Sequence, residues 1–325
     1  MTFVGRCGAR LAEVLRGTCD PLELLFPGGS LTDLEAFYAR SPFLKPYNTV
    51  LQKAIAIALE RVPKGRMVRI VELGAGTGGM TSAVLPVLTA DRTDYVFTDI
   101  SALFTSRAQH KFRQFPFVRY ALLDIEQDPR RQGFAPHSFD VVLAANVLHA
   151  TSDLRRTLAH VQQLLAPDGL LALFDATKPF RWADLIFGMM EGWWKFTDTA
   201  LRPAHALLTQ GAWCTLLAEM GFTDVVGIAD PAPGEEDPWQ AIVLARGARI
   251  EQPAQPAVTA APAPESSGSW LVFADRRGVG RTLAERLTAR GDRCVVVEWA
   301  DQRERVDDDH VRIRLGQPED LHQLV

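Results

Sequence analysis

VRIVELGAGTGG, running from Val68 to Gly79, is the stretch that decides the fold. A short apolar run, Val68–Leu73, breaks into a glycine-rich turn that leads into a helix. Glycines at such a turn permit positive φ and let a ligand approach bare backbone. Gly74, Gly76 and Gly79 satisfy GxGxxG, so the turn alone fits a dinucleotide, another ligand, or a tight turn holding nothing. Outward from it, apolar runs recur at Tyr95–Thr98, Val118–Leu122, Val141–Ala145 and Leu170–Phe174. Between the last two, Leu154, Leu158, Val161 and Leu165 fall on one helical face. This alternation predicts a parallel sheet covered by helices. A Trp-rich stretch follows from Arg181 to Phe196, then a helix over Thr209–Met220 and two short strands, Val225–Ile228 and Ala241–Ala245. Five parallel strands and a closing pair make a seven-stranded, mostly parallel α/β sheet with its last strand reversed.

The rest of the chain sets bounds. Its 325 residues predict about two domains. Hydrophobic residues are 47% and charged residues 23%, the balance of a globular protein. A net charge of -4 gives no basic field for nucleic acid or anionic membrane. No apolar run approaches the ~20 residues of a membrane span, and MTFVGRCGARLAEVLRG lacks the apolar region of a secretory signal. Cys7, Cys19, Cys214 and Cys294 are scattered, which excludes a zinc ribbon or disulfide scaffold and fits a reducing cytoplasm; no metal is expected. Residues 1–60 mix helical patterns, Cys7 to Arg16 and Leu31 to Arg40, with turn signals and no convincing strand. The α/β core then spans 61–248, with an inserted segment near 180–210. Residues 249–269, RIEQPAQPAVTAAPAPESSGS, are a Pro/Ala-rich linker, leaving a tail at 270–325.

Residues around the turn narrow the ligand. Glu72 sits at the strand end, two residues before the first glycine. A carboxylate there holds a cationic ammonium and repels a pyrophosphate. S-adenosylmethionine carries an ammonium and a sulfonium and no phosphate. Asp99, followed by Ile100 in YVFTDIS, can accept both ribose hydroxyls of either nucleotide. Asp124 can accept from an adenine amino group with Ile125 packed on the ring, or act as a helix N-cap. The fourth strand ends in ANVLH, so Asn146 and His149 fall on the carboxyl edge where open α/β sheets bind ligands. The remaining histidines have no comparable placement.

Taken together, several segments resemble the carbon-methyltransferase domain of modular polyketide synthases: CGARLAEVLRGTCDPLELLFPGGS, YARSPFLKPYN, VELGAGTGG, YVFTDIS, LLDIEQDP, ANVLHAT, FGMMEGWWKFTD and LRPAHALLTQGAW. The likeness covers roughly residues 5–245. It implies a class I methyltransferase fold, Rossmann-like, beneath an N-terminal helical lid. It also implies S-adenosylmethionine as cofactor, leaving as S-adenosylhomocysteine, with Glu72, Gly74, Gly76, Gly78, Asp99, Ile100, Asp124, Ile125 and Asn146 around it. The implied substrate is a β-ketoacyl group on the phosphopantetheine of an acyl carrier protein, methylated at its α-carbon. In the family a His–Glu dyad removes the α-proton. His149 matches the His, but the Glu position is Asp175, one methylene shorter. Either the aspartate sits closer or acts through water, or this copy is slow. Tyr38 and Asn48, in the lid segment, and Glu191, Trp193 and Trp194, in EGWW, are the substrate-side candidates. The tail, SWLVFADRRGVGRTLAERLTARGDRCVVVEWAD, resembles the start of a ketoreductase structural half, a partial α/β piece. The chain therefore reads as part of a longer synthase with neighbouring domains. The alternatives are a pseudo-methyltransferase that only spaces other domains, and a nicotinamide-dependent oxidoreductase.

Overall fold

The computed structural model describes residues 2–30, 33, 35, 44–60, 62, 63, 65–230, 238–248, 268–275, 278–314, 319 and 320. Two compact units divide at Ile250/Glu251. The expected helix over 31–40, and with it Tyr38, lies outside the described residues apart from Asp33 and Glu35.

The first unit is built on seven strands: β1 Val68–Leu73, β2 Thr93–Asp99, β3 Val118–Leu122, β4 Phe139–Ala145, β5 Leu165–Ala176, β6 Thr223–Ile228 and β7 Gln240–Arg246. Their order is β3-β2-β1-β4-β5-β7-β6. Neighbours from β3 to β5 are parallel, and β7 runs antiparallel to both β5 and β6, so the last strand is the reversed one. Period-2 alternation sends side chains to opposite faces. Val71, Leu73, Val142, Leu171 and Val243 pack beneath α6 (Leu154–Leu164) and α9 (Gln210–Glu219). Ile70, Tyr95, Phe97, Leu143 and Phe174 pack beneath α3 (Lys45–Glu60), α4 (Gly79–Val84) and α5 (Ala102–Lys111). Both faces are covered, which is why the central strands are almost continuously apolar. A third cluster joins Cys7 of α1 (Thr2–Leu15) and Leu24 and Leu25 of α2 (Pro21–Leu25) to Ile186 of α7 (Arg181–Phe187). The N-terminal helices thus pack on the segment inserted between β5 and β6.

One boundary differs from expectation. Leu165 ends no helix; it begins β5, pairing with Phe139 before an irregular stretch, after which Leu170 pairs with Val141. Pro167 and Asp168, the latter at φ +57°, stop the helical period that Leu165 formally continues. At the other end of its helix, α6 starts where the Asp153 carboxylate accepts the Arg156 N–H at 3.0 Å.

The second unit holds β8 Ser269–Phe273, α10 Val279–Ala289, β9 Arg293–Ala300, β10 Glu304–Arg305 and β11 His310–Arg314, ordered β10-β11-β9-β8. β8, β9 and β11 are parallel, and β10 pairs antiparallel with β11. Its small core sets Val272 and Cys294 against Ala284.

The glycines of the β1–α4 turn are needed for packing as much as for backbone freedom. A Cβ on Gly74, at φ +52°, would stand 2.3 Å from Val147 Cγ2, and one on Gly78 would stand 2.7 Å from the Phe112 ring. At Gly76 the nearest atom would be 3.8 Å away. Gly65 shares the positive φ of Gly74 but faces open space. Gly74→Ala is therefore expected to destabilise the protein by about 1–3 kcal/mol more than Gly65→Ala, because only the former overpacks a neighbour. Urea denaturation of the two variants checks this; equal midpoints would show that the Val147 contact is not limiting.

Candidate active site

Two cavities adjoin at the carboxyl edge of the sheet. One, of about 240 Å³, lies over the glycine turn and is lined by Glu72, Gly74, Gly76, Gly79, Asp99 and Asn146, with Leu44, Asn48, Phe104 and Phe174 around them. The other, of about 270 Å³, is lined mainly by apolar groups, Phe180, Trp182, Phe187, Met190 and Trp193, and by His149. Leu44 and Asn146 belong to both walls.

The first cavity has buried carboxyls at its floor. Glu72, 1% exposed, accepts hydrogen bonds from Thr81 Oγ1 and Tyr95 Oη, both at 2.5 Å. Burial pushes its carboxyl from 4.5 to about 7, and the charge of Asp99 adds to the rise; the two hydroxyls oppose it without cancelling it. Asp99 Oδ2 accepts from the Gly76 N–H at 2.9 Å and Oδ1 from the Ser101 N–H at 2.8 Å. Burial raises this carboxyl too, against those same backbone bonds. Each oxygen retains a lone pair for a further donor. Asn146 holds φ +51°, a region Asn tolerates better than most residues, while its N–H donates to Phe174 O at 2.8 Å and extends the β4–β5 ladder.

The second cavity exposes His149, and Asp175 lies behind it. His149 lies on a single 3-10 turn, Leu148–Ala150, just past β4, and Asp175 is the penultimate residue of β5. Since Ala145 pairs with Phe174, the two side chains emerge side by side. His149 Nδ1 is 2.5 Å from Asp175 Oδ1, so the shorter acid reaches the ring directly. The same oxygen accepts the Ala176 N–H at 2.9 Å, while Oδ2 is buried with no hydrogen-bond partner among the described residues. The edge of Trp193 meets the imidazole with ring centroids 5.3 Å apart. Trp193 Nε1 donates to Asp184 Oδ1 at 3.1 Å, and His205 Nε2 lies 2.9 Å from the same oxygen.

Several expected site residues stand elsewhere. Gly78 packs on Phe112 and does not line the cofactor cavity; Gly79 does. Ile100 is 68% exposed and outside that lining. Asp124 caps no helix: its carboxylate accepts the Glu126 N–H in a tight turn, and the adjacent helical cap is Asp128. Ile125 is buried in the core under α6 and outside the cavity lining; its carbonyl accepts a hydrogen bond from His160 Nδ1 at 2.7 Å. Asn48 lines the acidic cavity and not the apolar one. In α8 (Glu191–Trp194) only one face of a single turn can point inward. Trp193 does; Glu191 is exposed, and Trp194 is half exposed with its indole N–H on Gly188 O at 2.8 Å. Leu44, Phe104 and Arg202 escaped the sequence reading. Arg202 stood within a quoted segment, and an arginine amid an apolar stretch was the available signal.

Buried acids around an open glycine turn fit a cationic nucleoside and not a pyrophosphate, and a seven-stranded sheet with a reversed closing strand is the frame of the class I methyltransferases. The comparisons agree. Residues 71–171 match the family model described as a methyltransferase domain. The non-reducing polyketide synthase adrD of Penicillium roqueforti is 39% identical over 219 residues, 66% of this chain and 9% of that protein. The crystal structure of the CurJ carbon methyltransferase is 49% identical, covers 76% of this chain and 66% of its own, and superposes with a TM-score of 0.73. The trans-methyltransferase CalH, in complex with S-adenosylhomocysteine, is 30% identical over 75% of this chain and 66% of its own, with a TM-score of 0.63. This chain belongs to the polyketide-synthase carbon methyltransferases and is an S-adenosylmethionine-dependent enzyme domain. It spans about a tenth of the length of the synthase it matches. Among the described residues no helix is long and apolar enough to cross a membrane, and no group of three or more His, Cys, Asp or Glu is placed to hold a metal.

The raised Glu72 carboxyl has a measurable consequence. The native state keeps this proton up to about pH 7, whereas the unfolded chain releases it near 4.5. Stability from this group is thus present below 4.5 and is lost as the pH rises toward 7, by up to about 3 kcal/mol. Wild-type stability minus that of Glu72→Gln is expected to fall across that window in urea titrations; a flat difference would show that Glu72 ionises normally.

Proposed function

We propose that the domain methylates the α-carbon of a β-ketoacyl thioester presented by an acyl carrier protein, with His149 as base and Asp175 orienting it. The observation that carries this reading is the 2.5 Å contact between His149 Nδ1 and Asp175 Oδ1, with His149 lining the apolar cavity that adjoins the acidic one. S-adenosylmethionine, when bound, supplies an electrophilic methyl group. Glu72 and Asp99 are the residues that would hold its ammonium and its ribose hydroxyls.

The chain's own residues do the remainder. An ionised Asp175 only accepts hydrogen bonds, so the imidazole proton resides on Nδ1 and Nε2 keeps a lone pair. Among the described residues none is hydrogen-bonded to that nitrogen. A carbon flanked by two carbonyls is acidic enough for imidazole to deprotonate, and the carboxylate stabilises the imidazolium that forms. Phe180, Phe187, Met190 and Trp193 keep water from the resulting enolate and suit an apolar acyl chain. The carrier substrate and neighbouring synthase domains are supported by the relatives being polyketide synthases. Residues 270–325 are read as the start of a ketoreductase structural half, supported by the parallel β8–α10–β9 unit opening at Gly278, φ +87°. Domain limits at 60, 248 and 269 belong to the same proposal.

Mass spectrometry of a β-ketoacyl carrier protein incubated with the domain and S-adenosylmethionine tests the reading. The acyl group should gain the mass of one CH2. His149→Ala should abolish the gain while S-adenosylhomocysteine still binds, and Asp175→Asn should slow it by about 100-fold or more. An unmodified acyl group with wild-type protein would refute the assignment.

A further inference from the structure

Arg202 is among the largest fully buried side chains of the protein, with 0% of its side chain exposed. Burying a guanidinium is costly unless every donor is met. Here all five N–H groups have acceptors. Nε donates to Asp198 Oδ1 at 2.6 Å, Nη1 to the carbonyls of His149 at 2.8 Å and Ala206 at 3.4 Å, and Nη2 to those of Thr151 at 2.8 Å and Ser152 at 3.2 Å. The other oxygen of Asp198 accepts the Leu154 N–H at 2.9 Å, at the start of α6. Arg202 and Asp198 belong to the inserted segment; the other groups their side chains hold, except Ala206, lie between His149 and Leu154, on the turn that carries the base and the start of α6.

That turn has little holding it from within. Its own backbone bonds are Ala150 N–H to Val147 O and Thr151 N–H to Leu148 O, and it follows the left-handed Asn146. Its carbonyls at 149, 151 and 152 converge on one cation. Neither Arg202 nor Asp198 lines either cavity.

We propose that Arg202, locked by Asp198, is a positioning residue: it clamps the His149 turn so that the imidazole stays on Asp175 and its second nitrogen stays presented to the apolar cavity. This rests on the reading of His149 as the base. Lysine cannot substitute, since a point charge with three donors cannot span carbonyls and carboxylate arranged for a planar fork.

The test compares wild type, Arg202→Lys, Asp198→Asn and His149→Ala for kcat, KM, S-adenosylhomocysteine affinity and enzyme-promoted exchange of the substrate α-proton without methyl donor. A misplaced base predicts a fall of about 100-fold in kcat and in α-proton exchange for Arg202→Lys, with KM and cofactor affinity nearly unchanged. Asp198→Asn, which leaves the guanidinium unneutralised, should fall in the same two readouts. Wild-type rates in Arg202→Lys, or loss of cofactor affinity or of the folded state in both clamp variants, would make the pair purely structural and overturn the proposal. If instead wild type fails to methylate, or His149→Ala retains activity, the base assignment itself fails and the clamp falls with it.

Discussion

A hydrogen bond between two buried side chains at the ends of neighbouring strands organises this site. His149 is 6% exposed and Asp175 1% exposed, and without His149 the carboxylate would keep only the Ala176 N–H. Their meeting depends on register: β4 and β5 are parallel and adjacent, so the chain beyond Ala145 leaves the sheet beside the last residues of β5. A shift of one residue would turn Asp175 to the opposite face of the sheet. The two hydrophobic layers that cover the sheet fix that register, so the core acts on the chemistry through strand alignment.

Neighbouring loops are fitted to the same turn. Val147 occupies the space that a side chain at residue 74 would need, so the first glycine of the β1 turn lets the His149 turn approach. Asp198 and Arg202 hold it from the inserted segment. Glu126 holds it from the β3 side, accepting the Ser152 N–H and Oγ–H at 2.5 Å and pairing with Lys195. Trp193 closes the imidazole's flank, and its own indole is fixed through Asp184. Three stretches distant in sequence therefore converge on residues 147–152.

Much of this was legible in the sequence because strands buried on both faces announce themselves as apolar runs. The strand set, the reversed last strand, the glycine turn and the placement of Glu72, Asp99, Asn146 and His149 at the carboxyl edge all follow from that periodicity. Illegible features lie where no period operates. Leu165 continues the spacing of Leu154, Leu158 and Val161, and only Pro167 and the left-handed Asp168 beyond it mark the end of the helical period. Asp124 and Ile125 sit in a turn whose side-chain directions depend on backbone angles, so a ligand role read from order alone had no geometric basis. In EGWW the adjacent indoles part, one inward and one half exposed, because consecutive helical positions diverge by about 100°. Gly74 lines the cofactor cavity while the position of its missing Cβ is taken by Val147, whereas Gly78 stands outside that lining against Phe112.

Charge, more than shape, gives the cofactor cavity its selectivity. Burial raises both Glu72 and Asp99, and Asp99 raises Glu72 further. A ligand bearing positive charge relieves that strain by favouring both ionised carboxylates, so part of its affinity comes from a cost the free protein already carries. A pyrophosphate would bring more negative charge to the same floor and raise the cost again. The glycine spacing is shared with dinucleotide-binding folds and cannot separate these outcomes. The carboxylate two residues upstream, held beneath the turn by Thr81 and Tyr95, can, because its burial leaves little solvent to screen the difference.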